Sequence, residues 1–180
     1  MPTSATLPHL SFRDAPRASD PGAVREIVAS TGFFRPDEIG VAEELVRERL
    51  GRGVGSGYHF LFADGPEGVP LGYACFGPIP CTIGSFDLYW IAVHDGHRGR
   101  GLGRVLLARA EEAMGAGVPG DEEGADCGTL RARRVYIETS STPRYEPTRA
   151  FYERCGYRQE ARLEGFYAPG DDKIIYAKAL

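Results

Sequence analysis

The chain has 180 residues, 42% apolar and 26% charged, with a formal net charge of −4 at pH 7. That length suits one domain with a sizeable core, and the mild negative balance argues against a nucleic-acid surface. No apolar run approaches the roughly 20 residues of a membrane helix, residues 1–10 lack the pattern of a signal peptide, and Cys75, Cys81, Cys127 and Cys155 show no C-x-x-C spacing, so the sequence predicts reduced thiols in a cytoplasmic protein.

A tail over residues 1–9 precedes a single domain over 10–180. Residues 10–14 read as a first strand. Asp20-Pro21 opens a helix with proline where its missing N–H costs nothing, and Val24, Ile27 and Val28 mark the buried stripe before Gly32 ends it. A second helix is predicted over 36–50, with Ile39, Leu45, Val46 and Leu50 on one face. The glycine-rich stretch 51–57 is a connector. Residues 58–63 and 71–76 read as a hairpin around Asp64-Gly65-Pro66-Glu67-Gly68.

The nearly unbroken apolar run 86–93 predicts a central strand. A helix follows over 102–114, with Leu102, Val105, Leu106, Ala110, Ala113 and Met114 near one face. Residues 115–129, around Asp121-Glu122-Glu123, read as a mobile loop. A strand at 134–138, a short helix at 147–155 stopped by Gly156, and a hairpin of 157–166 and 173–178 complete an order β-α-α-β-β-β-α-β-α-β-β.

Between the central strand and its helix stands His97-Arg98-Gly99-Arg100-Gly101-Leu102-Gly103-Arg104. A strand, a Gly/Arg loop and a helix start build an anion site: the first helical amides lack intrahelical partners and lie at the positive end of the dipole. Glycines let the backbone come close, and the arginines add charge. A Walker loop would need a Lys-Ser/Thr pair, and a dinucleotide fingerprint a third glycine at the position of Arg104. What remains is Arg-x-x-Gly-x-Gly at Arg98, Gly101 and Gly103, which also reads as a turn capping an ordinary surface helix.

With the preceding Trp90-Ile91-Ala92-Val93, this loop resembles the acetyl-CoA pyrophosphate loop of the GCN5-related N-acetyltransferases, the GNAT superfamily. The element order resembles that family's, and Pro147-Thr148-Arg149-Ala150-Phe151-Tyr152-Glu153-Arg154-Cys155-Gly156-Tyr157 is similar to its late helix. Two positions depart from the pattern: Tyr145 stands where the family often has Asn, and Thr148 replaces a small Ala. The resemblance implies an α/β (α+β) acyl-CoA N-acyltransferase fold, a mixed, mostly antiparallel sheet with a splayed parallel strand pair and flanking helices.

It further implies that acetyl-CoA, as cosubstrate and with no metal, lies against Ile91, Ala92 and Val93. Its pyrophosphate would sit in the loop of Arg98, Gly99, Arg100, Gly101, Leu102, Gly103 and Arg104. Tyr152 is then the candidate acid for the leaving thiolate, and Glu138 or Asp87 the candidate base. Each also reads as structural, Tyr152 as a core aromatic and the carboxylates as loop caps or arginine partners. Phe33, Phe34, Arg144 and Tyr167 are placed at the acceptor mouth. The reaction implied is acetyl transfer to a primary amine of a small molecule or peptide, with no nucleic-acid or membrane partner. The final hairpin offers an edge for a homodimer. A non-catalytic acyl-CoA-binding module, a longer acyl donor and an alcohol acceptor are the alternatives.

Overall fold

The computed structural model describes residues 10–120 and 128–180. Its elements are β1 (Ser11–Arg13), α1 (Asp20–Ser30), α2 (Pro36–Arg52), β2 (His59–Asp64), β3 (Pro70–Pro78), β4 (Ser85–Val93), α3 (Leu102–Ala116), β5 (Val118–Pro119), β6 (Thr129–Leu130), β7 (Arg134–Ser140), α4 (Glu146–Arg154), β8 (Arg158–Ala168) and β9 (Asp171–Ala179). Seven strands form one sheet in the order β1-β2-β3-β4-β7-β9-β8. Every neighbouring pair is antiparallel except β4 and β7.

Period-two alternation sorts side chains to the two faces. Phe86 and Leu88 of β4, Val135 and Ile137 of β7, and Ile174 and Tyr176 of β9 bury against Leu106, Leu107 and Met114 of α3. Phe60, Phe62 and Tyr73 point the other way and bury against Val24, Ile27 and Val46 of α1 and α2. Two helical layers thus cover opposite faces of one sheet, the arrangement that buries an apolar stripe on every element. α1 is fixed at its start by charge. Buried Asp20 receives both terminal nitrogens of Arg13 at 2.7 Å each, and Arg13 Nε reaches buried Asp64 at 2.7 Å. A buried carboxylate survives desolvation only when paired in this way.

Two segments differ from the sequence-based expectation. The expected loop over 115–129 is flanked by a short ladder, Val118 opposite Leu130 and Pro119 opposite Thr129, anchored by the buried Val118 side chain. The glycines and acids of the stretch mask that signal, and Asp121-Glu122-Glu123 itself lies outside the described residues. β7 also runs two residues past Glu138, because Thr139 and Ser140 pair with Ile174 and Lys173 of β9.

The feature that positions the site is a bulge. β3 and β4 pair regularly from Gly72↔Val93 to Cys75↔Trp90, then resume at Phe76↔Leu88. Tyr89 is the extra residue. A bulge bends its strand and strengthens the local twist. On the other side of β4, parallel pairing with β7 covers only Ser85↔Arg134, Phe86↔Val135 and Asp87↔Tyr136. Past Asp87 the two strands part.

Candidate active site

The parted strands open a cleft of about 660 Å³. One wall is Tyr89, Trp90, Ile91, Ala92 and Val93 of β4; the other is Glu138, Thr139 and Ser140 of β7. The edge of β4 that faces the gap has no ladder partner there. Exposed strand amides and carbonyls of this kind accept an extended, amide-bearing ligand as an added strand would be accepted.

Beyond the end of β4 the chain turns into α3. Gly99 and Gly101 stand at φ +73 and +87, in the left-handed region, and Gly101 is the N-cap of α3. Side chains rarely adopt that backbone, so glycine is needed at both. A Cβ added at either would meet nothing within 4 Å, so the loop faces open space. Among the described residues, the amides of residues 99–103 have no backbone acceptor, whereas those of Arg104 and Val105 donate to the Gly101 carbonyl at 3.1 and 3.2 Å. A run of unpaired amides at a helix start, beside a cleft, fits a diphosphate. Leu102 contributes through its backbone alone, since its side chain is 1% exposed and packs in the core.

A roof crosses the cleft. Phe33, from the α1–α2 connection, lies under two guanidinium groups: Arg98 at 5.2 Å and Arg144 at 5.1 Å from the ring centroid. Tyr145 meets the same ring edge-on at 5.7 Å. Arg144 also donates to the Gly32 carbonyl. Phe34 packs on Trp90 with ring centroids 5.0 Å apart. Three separate segments therefore meet over the gap through cation–π and aromatic contacts.

Tyr152 lines the cleft from α4 and is nearly buried. Burial, with smaller contributions from Cys155 and Tyr145, pushes its phenol well above the usual range, so it holds its proton at neutral pH. Its ring touches those of Phe151, Tyr157 and Tyr176, which fix its direction.

The two carboxylates differ. Glu138 lines the cleft and pairs with Lys173 Nζ at 2.6 Å. Asp87 is not among the lining residues. It sits where β4–β7 pairing ends, opposite Tyr136. Burial first, then the Glu138 charge, pushes Asp87 up to about 6, against a smaller opposing effect of Lys173.

Of the sequence-predicted residues, Ile91, Ala92, Val93, Arg98, Tyr152, Glu138, Phe33, Phe34, Arg144 and Tyr167 all reach the cleft. Gly99, Arg100, Gly101, Leu102, Gly103 and Arg104 form the adjoining loop, and a Cβ added at Gly103 would come within 3.9 Å of the Val93 and Phe151 side chains. No sequence signal marks Lys173, because its place beside Glu138 depends on the β7–β9 register. Tyr145, which departs from the family pattern, also lines the cleft. His94 Nδ1 accepts the Gly96 amide at 3.2 Å, which gives it a local structural role. Among the described residues, no three or more His, Cys, Asp or Glu group as metal ligands, and no helix is long and apolar enough to cross a membrane.

The family model described as an acetyltransferase (GNAT) domain matches residues 55–159. A structure from Desulfovibrio desulfuricans, provisionally described as a GNAT-family acetyltransferase, is 44% identical with a TM-score of 0.84, over 95% of this chain and 99% of that one. An aminoglycoside 6′-N-acetyltransferase complexed with coenzyme A is 18% identical, with a TM-score of 0.67 over 95% of this chain and 96% of that one. An N-acetyltransferase from Staphylococcus aureus is 17% identical, with a TM-score of 0.67 over 95% and 98%. Among curated proteins none matches. The last two structures speak to fold alone; the family model and the Desulfovibrio structure establish that this chain belongs to the GNAT family of acetyltransferases.

Proposed function

We propose that the chain transfers the acetyl group of acetyl-CoA to a primary amine of a small molecule or peptide by direct attack. The observation that carries this reading is the conjunction of the β4–β7 gap, the unpaired amides of 99–103 at one end, and the buried, protonated Tyr152 between them.

In this reading the loop amides, with Arg98, Arg100 and Arg104, hold the diphosphate. Each amide near a helix start contributes on the order of 0.3–2 kcal/mol, so binding depends on several acting together. The pantetheine arm lies along the free edge of Ile91, Ala92 and Val93. A backbone N–H of that edge stabilises the oxyanion as it develops. The acceptor enters beneath Phe33 and Phe34, between Arg144 and Tyr167. Glu138 faces its ammonium and takes the proton, directly or through one water, and Asp87 lends a second negative charge from behind. The neutral amine attacks the thioester carbon, and Tyr152 gives its proton to the leaving thiolate.

Purified chain is incubated with acetyl-CoA and a library of amines, and products are read by mass spectrometry. Acetylated amine with matching release of CoA thiol is the expected outcome. Tight CoA binding without thiol release from any amine would contradict it and favour a non-catalytic acyl-CoA-binding module.

A further inference from the structure

We propose that Lys173 is a second acceptor built into the chain: the active site acetylates its Nζ in cis. The inference rests on the N-acetyltransferase reading above.

The chain has only two lysines, Lys173 and Lys178, both on β9. Lys173 lies opposite Ser140 of β7, at the rung nearest the open end of the cleft. Its side chain is 12% exposed although the neighbouring β8 is exposed along nearly all its length. The ammonium is 2.6 Å from Glu138 Oε2, 3.7 Å from the centroid of Phe166 and 5.8 Å from that of Tyr167. Lys173 itself does not line the cleft, but two of its partners, Glu138 and Tyr167, do. A carboxylate beside two aromatic faces is how a protein holds a primary ammonium. The chain thus presents one of its own amines, one hydrogen bond away from the carboxylate that the acceptor is expected to meet.

Lys178 supplies the internal comparison. It too makes a 2.6 Å ion pair, with Glu111, and lies over a ring, Tyr157 at 5.5 Å. Neither of those partners lines the cleft. Its side chain is more exposed, at 27% against 12%. Exposure alone therefore favours labelling of Lys178, whereas proximity to the cleft favours Lys173. A tethered amine also has a high effective concentration and needs no separate binding step.

The step balances as follows. The Lys173 ammonium gives one proton to Glu138, and the neutral nitrogen attacks the thioester carbon of acetyl-CoA. The C–N bond forms, the C–S bond breaks, and the thiolate takes the Tyr152 proton. The second nitrogen proton returns to the Tyr152 oxygen through solvent, so one proton is released overall. The product amide is uncharged, and Glu138 loses its counter-ion.

The full chain is incubated with acetyl-CoA and no added amine, over a wide range of protein concentration, and mapped by peptide mass spectrometry. Lys173 is expected to gain one acetyl group at least about ten-fold faster than Lys178. The rate constant should be independent of protein concentration, fall in Tyr152→Phe, and leave Lys178 unlabelled in Lys173→Arg. An unlabelled Lys173, labelling no faster than Lys178 or than the heat-unfolded chain, or a rate that scales with protein concentration overturns the inference. Amine turnover and CoA binding are measured on the same preparation. Turnover with an unlabelled Lys173 removes this inference alone, whereas absence of CoA binding removes both it and the acetyltransferase reading.

Discussion

β7 has two neighbours and treats them differently. Toward β9 it pairs along its whole length, from Arg134↔Ala179 to Ser140↔Lys173. Toward β4 it pairs only from Arg134 to Tyr136. The cause lies in β4, where Tyr89 is one residue too many for the β3 register. Ladder hydrogen bonds are seldom left unmade in a buried sheet, so an interrupted ladder between two central strands marks a place where something else completes it. In the function proposed here, the ligand backbone pairs with this free stretch of sheet.

The sharpest way to break this comparison is to delete Tyr89. The strand then alternates regularly, because Phe86 and Leu88 pack toward α3 as do Ile91 and Val93, and one residue fewer puts all four in phase. The deleted chain is expected to fold, to extend pairing between β4 and β7, and to bind CoA at least about 100-fold more weakly, since several hydrogen bonds of about 0.5–1.5 kcal/mol each are lost together. Circular dichroism and calorimetric titration check both halves. Unchanged CoA affinity in a folded deletion variant would separate the bulge from binding.

A second test leaves the gap intact and removes only the proton donor. Tyr152→Phe is expected to lower kcat by roughly 10- to 1000-fold with CoA affinity kept. The ring contacts to Phe151, Tyr157 and Tyr176 stay available to phenylalanine, so folding is preserved. Steady-state kinetics together with calorimetry decide it, and an unchanged kcat takes Tyr152 out of the mechanism.

The smallest effect concerns the point where pairing stops. Asp87 is pushed up to about 6 by burial and by the Glu138 charge. A carboxyl group raised on folding binds more protons folded than unfolded between its ordinary value near 4 and about 6, so its stabilising contribution is present at low pH and lost as pH rises through that window. Asp87→Asn removes the penalty. The variant is expected to be more stable than the parent by about 1–2 kcal/mol at pH 7.5, after discounting for solvent screening, with the gain vanishing near pH 4. Urea denaturation at the two pH values measures it; a gain that is the same at both contradicts the assignment.

The sequence carries the site unevenly, for physical reasons. The loop at Arg98, Gly101 and Gly103 was legible because left-handed turns restrict residue choice, and that restriction shows in the chain itself. Family resemblance points to Phe33, Phe34 and Tyr167 at the mouth, and Arg144 is a candidate through its charge; all four line the cleft. The bulge is hidden in the sequence because residues 88–93 are apolar on both faces, so the phase slip between Leu88 and Ile91 leaves no break in polarity. Lys173 was invisible for a different reason: its partner is 35 positions away along the chain, and only the β7–β9 register brings them together. The ladder of β5 and β6 is two rungs long, too short to leave a strand pattern in the sequence.

The account stands on the unpaired backbone at the two ends of the gap, and CoA titrated into isotopically labelled chain tests it amide by amide. The largest chemical-shift changes are expected at Gly99, Gly101, Leu102 and Gly103 and along Ile91, Ala92 and Val93, with β7–β9 rungs such as Ile137↔Tyr176 nearly silent. Saturable CoA binding that leaves the amides of 99–103 unmoved would contradict it.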